Sequence, residues 1–320
     1  MIALFGLLGT LLISSIQAQE LERKAVRGCQ QFGFFAEFFW VLNHLQWCIT
    51  TNQTPVIYWD SRFAYYSPQG YNGSTNAWEY YFEPVSKLSY QPGDPVHTPC
   101  FYNQNFSVIW WYSEYINNLG LLPPDERDAV KSVPLPKGLA GNAEYPVYKH
   151  LYDVSFRKYV KEELIDPFIR IKPSIRKKID DFHSTHMKGK HIIGIHLRGN
   201  FVWGEVSVVP VETLCEEANK LASRHTIFYV ATDQKPLLDQ AIRLLKGTVI
   251  YYPCYRQETT TSPWLSGQWP PEMGEDVLIE AKLLSYCNHL VHTISNLSTA
   301  ALYFNPRLSH TALYCGGSDK

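Results

Sequence analysis

The sequence predicts an α/β protein with a parallel sheet, and three segments carry that prediction. Apolar runs at 191–195, 226–231 and 289–294 have the composition of buried parallel strands. Each run ends in polar residues, and the last two lead into segments with apolar residues at helical spacing. Ligands of open α/β sheets bind beyond the carboxyl ends of the strands, so these polar residues are the candidates for a site.

The first run ends in the sequence 196–200, which reads His-Leu-Arg-Gly-Asn. Arg198 suits a phosphate because its planar guanidinium donates two parallel, charged hydrogen bonds. Gly199 would let the backbone approach a ligand closely. An arginine at a strand end can also serve solubility or a local ion pair, and that alternative stays open for this segment taken alone.

The second and third runs end in residues suited to the same task. Asp233 follows the second run, where the alternative role is to cap the helix that begins near Lys235. Ser295, Asn296 and Ser298 follow the third run at the start of another helix. Hydroxyls, an amide and free N–H groups at a helix N-terminus form a ready anion site.

These segments, in this order, resemble the motifs of the fucosyltransferase superfamily, which includes α1,6-, nodulation-type and protein O-fucosyltransferases. The matching stretches are 196–200, 228–233 and 280–298, about two-fifths of the chain at its carboxyl end. Many relatives carry a second Arg at position 199 and an acid at position 200, and Asp is common at position 234 in the α1,6 branch. The site of the donor phosphate is supported by this pattern, whereas the acceptor-specific part of the α1,6 pattern is not.

The resemblance implies a GT-B-like fold, with two Rossmann-like domains facing a cleft. We expect a signal peptide at 1–18, an acceptor-side α/β domain at 19–170, and a nucleotide-sugar-binding domain at 171–320. The implied reaction is inverting transfer of fucose from GDP-fucose to a glycan or protein hydroxyl, without a metal or other cofactor. Alternatives are a transferase using another nucleotide sugar and an exported glycan-binding pseudo-transferase.

The resemblance also implies roles for individual residues. Arg198 would neutralise the charge that develops on the β-phosphate of the leaving group. The expected donor-binding residues are His196, Gly199, Asn200, Asp233, Glu280, Ser295, Asn296 and Ser298. Of these, His196 with Asp233 or Glu280 would hold guanine or ribose, and the serines with Asn296 would line the pyrophosphate.

The helix that carries Glu280 also indicates a binding role for this residue. Apolar neighbours predict that this helix face is buried, and a buried carboxylate needs a partner. Lys282 is two positions away and points to a different face, so it is a poor partner. We therefore expect Glu280 to bind guanine or ribose hydroxyls, with little effect on the stability of the free protein.

The amino-terminal part predicts a first α/β unit. A glycine-bearing turn at 28–33 leads into an aromatic helix, and the strand-like run 55–59 ends in Asp60. Glu37 lies just after the turn, where it could face the cleft as general base or be a first-turn carboxylate favoured by the helix dipole. Aromatic loops at 65–70 and 76–83 suit sugar binding, although such clusters are more often core. A helix over 160–179, kinked at Pro167 and broken at Pro173, would bridge the two halves.

The composition restricts the possible partners. The chain has 320 residues and a net charge of −1, so no basic footprint for nucleic acid is present. Phosphate recognition must therefore come from a local site. The chain offers no dedicated Asp-x-Asp motif, which agrees with a metal-independent reaction.

The amino terminus predicts export through the secretory pathway, with no stable membrane insertion after signal cleavage. The apolar segment 1–16 is short for a membrane span, although an uncleaved anchor is the alternative. In an exported chain some of the seven cysteines should pair. Four glycosylation sequons begin at Asn52, Asn72, Asn105 and Asn296, and the last should stay bare within the donor site.

Overall fold

The computed structural model describes residues 24–29, 32–97, 153–198, 208–258, 269–293 and 295–313. These residues form an α/β structure with two parallel sheets, as the apolar runs predict. The segment 1–23, with the expected signal peptide, lies outside the described residues, as do Gly199 and Asn200. Within the described residues, no helix has the length and hydropathy needed to cross a membrane.

The first sheet has three strands in the order β2-β1-β3. Strand β1 spans Lys24–Arg27, β2 spans Thr54–Ile57, and β3 spans Val96–His97. Helix α1, Phe34–Thr51, connects β1 to β2, as expected for a parallel pair. The helix ends at Asn52, which takes a left-handed conformation with φ of 50° that asparagine tolerates better than most residues.

Within the described residues, two helices follow the first sheet. Helix α2, Val154–Tyr159, continues through a π-helical turn at Val160–Ile165 into Asp166–Phe168. Helix α3, Pro173–Phe182, continues into a π-helical turn at His183–Met187. The helical segment ends at Phe168 and α3 begins at Pro173, so the predicted break at Pro173 is confirmed. Proline causes such a break because it restricts its own backbone and that of the residue before it.

The second sheet has five parallel strands in the order β6-β5-β4-β7-β8. Its strands are β4, His191–His196; β5, Thr226–Ala231; β6, Thr248–Ile250; β7, His289–Thr293; and β8, Ser309–Leu313. Its helices are α4, Val211–Leu221; α5, Lys235–Leu244; α6, Pro271–Leu284; and α7, Asn296–Phe304. This order is that of a Rossmann-type sheet, in which the winding reverses between the first and fourth strands, here β4 and β7.

Two hydrophobic clusters are built on this framework. The smaller packs α4 and α5 against β4 and β5. The larger joins the amino-terminal part to α6 and α7, for example through the Phe39 and Tyr303 rings, whose centroids lie 5.5 Å apart. Trp78, Tyr80, Tyr81 and Phe82 belong to it and have no exposed surface. The aromatic loop 76–83 is therefore mainly core, and its rings do not form a sugar-binding surface.

The cysteines differ from the expectation of disulfides. Cys29, Cys48, Cys215, Cys254 and Cys287 are all free thiols, and all except Cys254 are buried. Cys100 and Cys315 lie outside the described residues. Cys215 and Cys287 pack as small apolar side chains, a common role for buried thiols, whereas the Cys254 Sγ lies 3.5 Å from the Glu280 Oε1.

Gly194 shows how closely the second sheet packs on α6. A Cβ atom at this position would lie 2.8 Å from the Cys287 Sγ and 3.0 Å from a Leu284 methyl carbon. We expect Gly194→Ala to lower the free energy of unfolding by about 1–3 kcal/mol through overpacking. Urea denaturation measures this loss, and adding Cys287→Ala should restore part of it. Wild-type stability in the single variant would contradict the tight packing.

Candidate functional site

The strand order brings together the carboxyl ends of β4 and β7. His196, the last residue of β4, is in register with His292 of β7. Just beyond, the Ser295 Oγ lies 3.2 Å from the His196 Nδ1, although the two residues are 99 positions apart in the chain. Two residue types predicted from separate motifs therefore meet where the winding of the sheet reverses, the position at which such sheets bind ligands.

At the end of β4, His196 is a neutral imidazole and lies near the positively charged Arg198. Burial, with smaller contributions from His292 and Arg198, lowers the pKa of His196 to about 3. A neutral His196 can donate one hydrogen bond and accept another, but it brings no charge to an anionic ligand. The positive charge next to it is that of Arg198, which is partly exposed.

The burial of His292 predicts that the protein loses stability in acid. It is fully buried, its Nδ1 lies 2.8 Å from the Thr293 carbonyl oxygen, and its Nε2 lies 3.1 Å from the His310 Nδ1. Burial lowers the pKa of His292 to about 4, whereas an unfolded histidine titrates near ~6.5. The stabilising contribution of neutral His292 is therefore complete above the unfolded pKa and is lost as the pH falls from there toward 4.

We expect His292 alone to reduce the free energy of unfolding by roughly 2 kcal/mol at pH 5 relative to pH 7.5. In His292→Gln this part of the pH dependence should disappear. Urea denaturation at the two pH values measures it. His225→Gln, which replaces an exposed histidine, is the matched control and should keep the wild-type difference. The expectation is refuted if the His292 variant also keeps it.

The N-terminus of α7 is built by two of the predicted serines. The Ser295 Oγ accepts a hydrogen bond from the Ser298 backbone N–H, and the Ser298 Oγ accepts one from the Ser295 N–H, each at 3.1 Å. Ser298 has no exposed surface and also donates to backbone carbonyls. Ser298 thus forms a capping box, and its expected contact with a pyrophosphate is corrected. Asn296 is exposed in the first turn, where helix N–H groups have no intrahelical partner.

Asp233 lies at the carboxyl end of β5, the strand next to β4. It does not cap α5, because Gln234 occupies the cap position. Asp233 keeps exposed surface, yet burial by surrounding atoms raises the pKa of its carboxyl, and the charges of Arg198 and Arg256 oppose the rise. The exposed surface of Asp233 leaves it able to contact a ligand at the carboxyl end of β5.

Glu280 has a protein partner that the sequence analysis missed. The Arg256 Nη2 donates to the Glu280 Oε1 at 2.9 Å, and both side chains are almost completely buried. Burial raises the pKa of Glu280, and Arg256 opposes this. The expectation that Glu280 has little effect on the stability of the free protein is therefore corrected. Nothing in the local sequence marks Arg256, because it reaches Glu280 from the segment after β6.

Several polar groups around the end of β5 are buried without protein partners. Within the described residues, they include the carboxamide of Gln234, the Oε1 of Gln257, the hydroxyl of Tyr229 and the Nε of Arg256. Each such group costs about 1–3 kcal/mol when it is left unsatisfied. Native proteins rarely keep these groups without a reason, and their concentration beside Asp233 and Glu280 is consistent with a site for a polar ligand.

Glu37 is buried and does not face a cleft as the sequence predicted for a general base. Its side chain has no exposed surface, its Oε2 lies 4.0 Å from the Arg27 Nη2, and its Oε1 accepts from the Phe32 N–H at 3.3 Å. A base that deprotonates an acceptor must reach its hydroxyl. The exposure required for that role is absent, so Glu37 is corrected from candidate general base to a buried ion-pair partner of Arg27.

A cavity of about 210 Å³ in the described residues is lined by Arg198 together with residues at the start of α4 and on α5. A larger one of about 400 Å³ lies at the start of α3, and no predicted site residue lines it. The larger cavity therefore lies away from the residues predicted to form the site. Among the described residues, no cluster of His, Cys, Asp and Glu could hold a metal ion.

The comparison with solved structures decides the fold. Fucosyltransferase NodZ from Bradyrhizobium is similar with a TM-score of 0.51 and 20% identity, over 90% of this chain and 94% of that one. NodZ alpha-1,6-fucosyltransferase soaked with GDP-fucose gives a TM-score of 0.50 and 19% identity over the same shares. The chain has the fold of these fucosyltransferases. No protein-family model and no curated protein matches it.

The fold of NodZ agrees with the resemblance inferred from the motifs at 196–200, 228–233 and 280–298. At this level of identity the similarity concerns the architecture alone. The function must therefore be argued from the residues at the carboxyl ends of β4, β5 and β7.

Proposed function

We propose that this chain is a glycosyltransferase that transfers fucose from GDP-fucose to a hydroxyl group with inversion and without a metal. The observation that carries the proposal is the meeting of His196 and Ser295, at 3.2 Å, where the winding of the sheet reverses, with Arg198 two residues beyond β4. Likeness of fold to a fucosyltransferase soaked with GDP-fucose supports the donor.

In this proposal the diphosphate lies between Arg198 and the N-terminus of α7. The guanidinium neutralises the negative charge that grows on the β-phosphate as the glycosidic bond breaks. The first N–H groups of α7 and the amide of Asn296 bind the pyrophosphate oxygens, as helix N-termini commonly do. Neutral His196, held by Ser295, hydrogen-bonds the ligand without adding charge. Gly199 and Asn200 remain expected neighbours of the donor, outside the described residues.

The nucleoside would extend along the carboxyl ends of β4 and β5. Asp233 is the carboxylate that can accept hydrogen bonds from guanine or ribose there. Glu280 would contribute the same chemistry from α6, with Arg256 fixing its orientation through the 2.9 Å hydrogen bond. Guanine suits a carboxylate because its N1–H and amino group are adjacent donors.

The proposal includes two domains that face a cleft, with the division near residue 170. Contacts between the amino-terminal part and segments next to the second sheet support this arrangement. The Trp269 N–H donates to the Ala64 carbonyl at 2.8 Å, and the charge of Asp233 contributes to raising the pKa of Tyr65. The loop after β2 therefore approaches the predicted donor site. A secretory location, with a signal peptide at 1–18, is also part of the proposal.

The donor is tested by thermal unfolding with GDP, UDP and ADP, in the presence of excess EDTA. A ligand that binds only the folded state stabilises it by about 2.7 kcal/mol at a concentration ~100 times its Kd. We expect stabilisation by GDP alone, and EDTA should not remove it. Stabilisation by UDP alone would favour a different nucleotide sugar.

The second candidate function is an exported glycan-binding protein without catalysis. The burial of Glu37 favours it, because the expected general base is then missing from the surface. Oligosaccharide binding without any response to GDP would select this alternative over the transferase.

A further inference from the structure

Tyr58 and Tyr90 form an aromatic surface unlike the core of the amino-terminal part. Their ring centroids lie 3.9 Å apart with an interplanar angle of 15°, so the rings are stacked face to face. Both side chains are partly exposed, whereas the stacked rings of Phe38, Trp78 and Phe82 are completely buried in the core. Each tyrosine uses one ring face on the other, and the pair is presented at the surface.

A fixed polar group follows Tyr58 in the chain, and its charge reaches the rings, because burial, Tyr90 and Asp60 together raise the pKa of Tyr58. Arg62 donates to both carboxylate oxygens of Asp60, from Nε at 2.9 Å to Oδ1 and from Nη2 at 2.8 Å to Oδ2. Burial alone would raise the pKa of Asp60, but the hydrogen bonds from Arg62 outweigh it and lower the pKa. Asp60 is thus ionised and oriented, and its side chain and that of Arg62 keep 30% and 46% of their surface exposed.

Stacked rings beside an oriented ion pair match the two kinds of surface on a pyranose. The apolar C–H face of the sugar packs on an aromatic ring, and its hydroxyls donate to the carboxylate and accept from the guanidinium. The ion pair has no net charge, so it gives no overall preference for an anionic or a cationic ligand. A neutral saccharide fits this combination better than a charged peptide does.

The position of the pair relates it to the proposed donor site. Tyr58 follows β2 directly, and its N–H donates to the Arg27 carbonyl at 2.9 Å, at the carboxyl end of the first sheet. From there the chain runs through Asp60 to Tyr65. Burial and the charge of Asp233 raise the pKa of Tyr65. Six residues thus lie between the stacked Tyr58 and Tyr65, which is near the donor-side carboxylate.

We propose that Tyr58, Tyr90, Asp60 and Arg62 form a sugar-binding subsite for a neutral oligosaccharide, so that the acceptor is a glycan and not a peptide segment. The inference rests on the proposed transferase function, which it deepens by naming the class of acceptor. Binding at this subsite needs no donor, so the two can be tested separately.

The test uses saturation-transfer NMR and titration with cellotetraose, mannotetraose and chitotetraose, and with a Ser/Thr-containing peptide as the competing class. We expect at least one tetrasaccharide to bind the wild-type protein and the peptide not to bind. Tyr58→Ala and Tyr90→Ala should weaken that binding at least tenfold. Tyr58→Phe should retain it, because the stacking face is preserved. Trp47→Ala, which truncates an exposed aromatic side chain on α1, is the matched control.

Several results would overturn the subsite. They are no binding of any tetrasaccharide, equal binding by the alanine variants, and binding of the peptide in place of the sugar. Thermal unfolding with GDP on the same proteins separates this inference from the transferase function. The GDP response should be equal in wild type and in Tyr58→Ala. A missing GDP response with intact oligosaccharide binding would refute the transferase and leave the subsite standing.

Discussion

Arg198→Ala is expected to lower the rate of sugar transfer by roughly 10²–10³, the loss typical when one preorganised group that stabilises transition-state charge is removed. The charge on the leaving diphosphate is larger in the transition state than in the bound donor, so the loss should fall mainly on kcat. The side chain is partly exposed, so the folded structure should persist.

The measurement is steady-state transfer from GDP-fucose, with thermal unfolding as the check of folding. Arg198→Lys keeps the charge but not the planar fork, and should recover only part of the activity. Arg224→Ala, an exposed arginine before β5, is the matched control and should transfer at the wild-type rate. Undiminished transfer in Arg198→Ala would remove this residue from the proposed mechanism and the motif at 196–200 from the argument.

Arg256→Met is expected to lower the free energy of unfolding by about 3–5 kcal/mol at pH 8.5, because it leaves the buried Glu280 carboxylate without its cation. The same variant should weaken GDP binding, since Arg256 positions Glu280 in the proposed donor site. By contrast, Arg170→Met breaks an exposed ion pair with Glu83 and should cost no more than ~1 kcal/mol.

The pH dependence of this loss identifies its cause. Burial raises the pKa of Glu280 above its ordinary value of 4.5, and without Arg256 the pKa should rise further. When the pKa of a carboxyl is higher in the folded than in the unfolded protein, protonation favours the folded state. The free energy of unfolding therefore increases as the pH falls from the folded pKa to the unfolded pKa. The destabilisation should therefore be largest above pH 8 and shrink toward pH 5. Urea denaturation of Arg256→Met and of Arg256→Met with Glu280→Gln tests this, and the double variant should be more stable than the single one at pH 8.5.

The sequence by itself determined the parallel strands and the positions of three polar motifs at their ends. Strands β4, β5 and β7 are buried on both faces and read as apolar runs, a signal that depends only on neighbouring residues. The break at Pro173 is equally local, because proline restricts its own backbone and that of the residue before it. The pattern of motifs also predicted the fold that NodZ shares.

Only the tertiary structure decided which side chains pair. Glu37 faces Arg27, and Glu280 faces Arg256, because strand order and loop paths bring together groups that no local pattern connects. The Tyr58–Tyr90 pair likewise joins the end of β2 to a loop 32 residues later. Burial of a polar residue can be predicted from its neighbours, but the identity of its partner depends on chain segments that are distant in sequence. For this reason the sequence could nominate candidate site residues, and only the structure showed which of them, such as Glu37 and Glu280, have charged partners inside the protein.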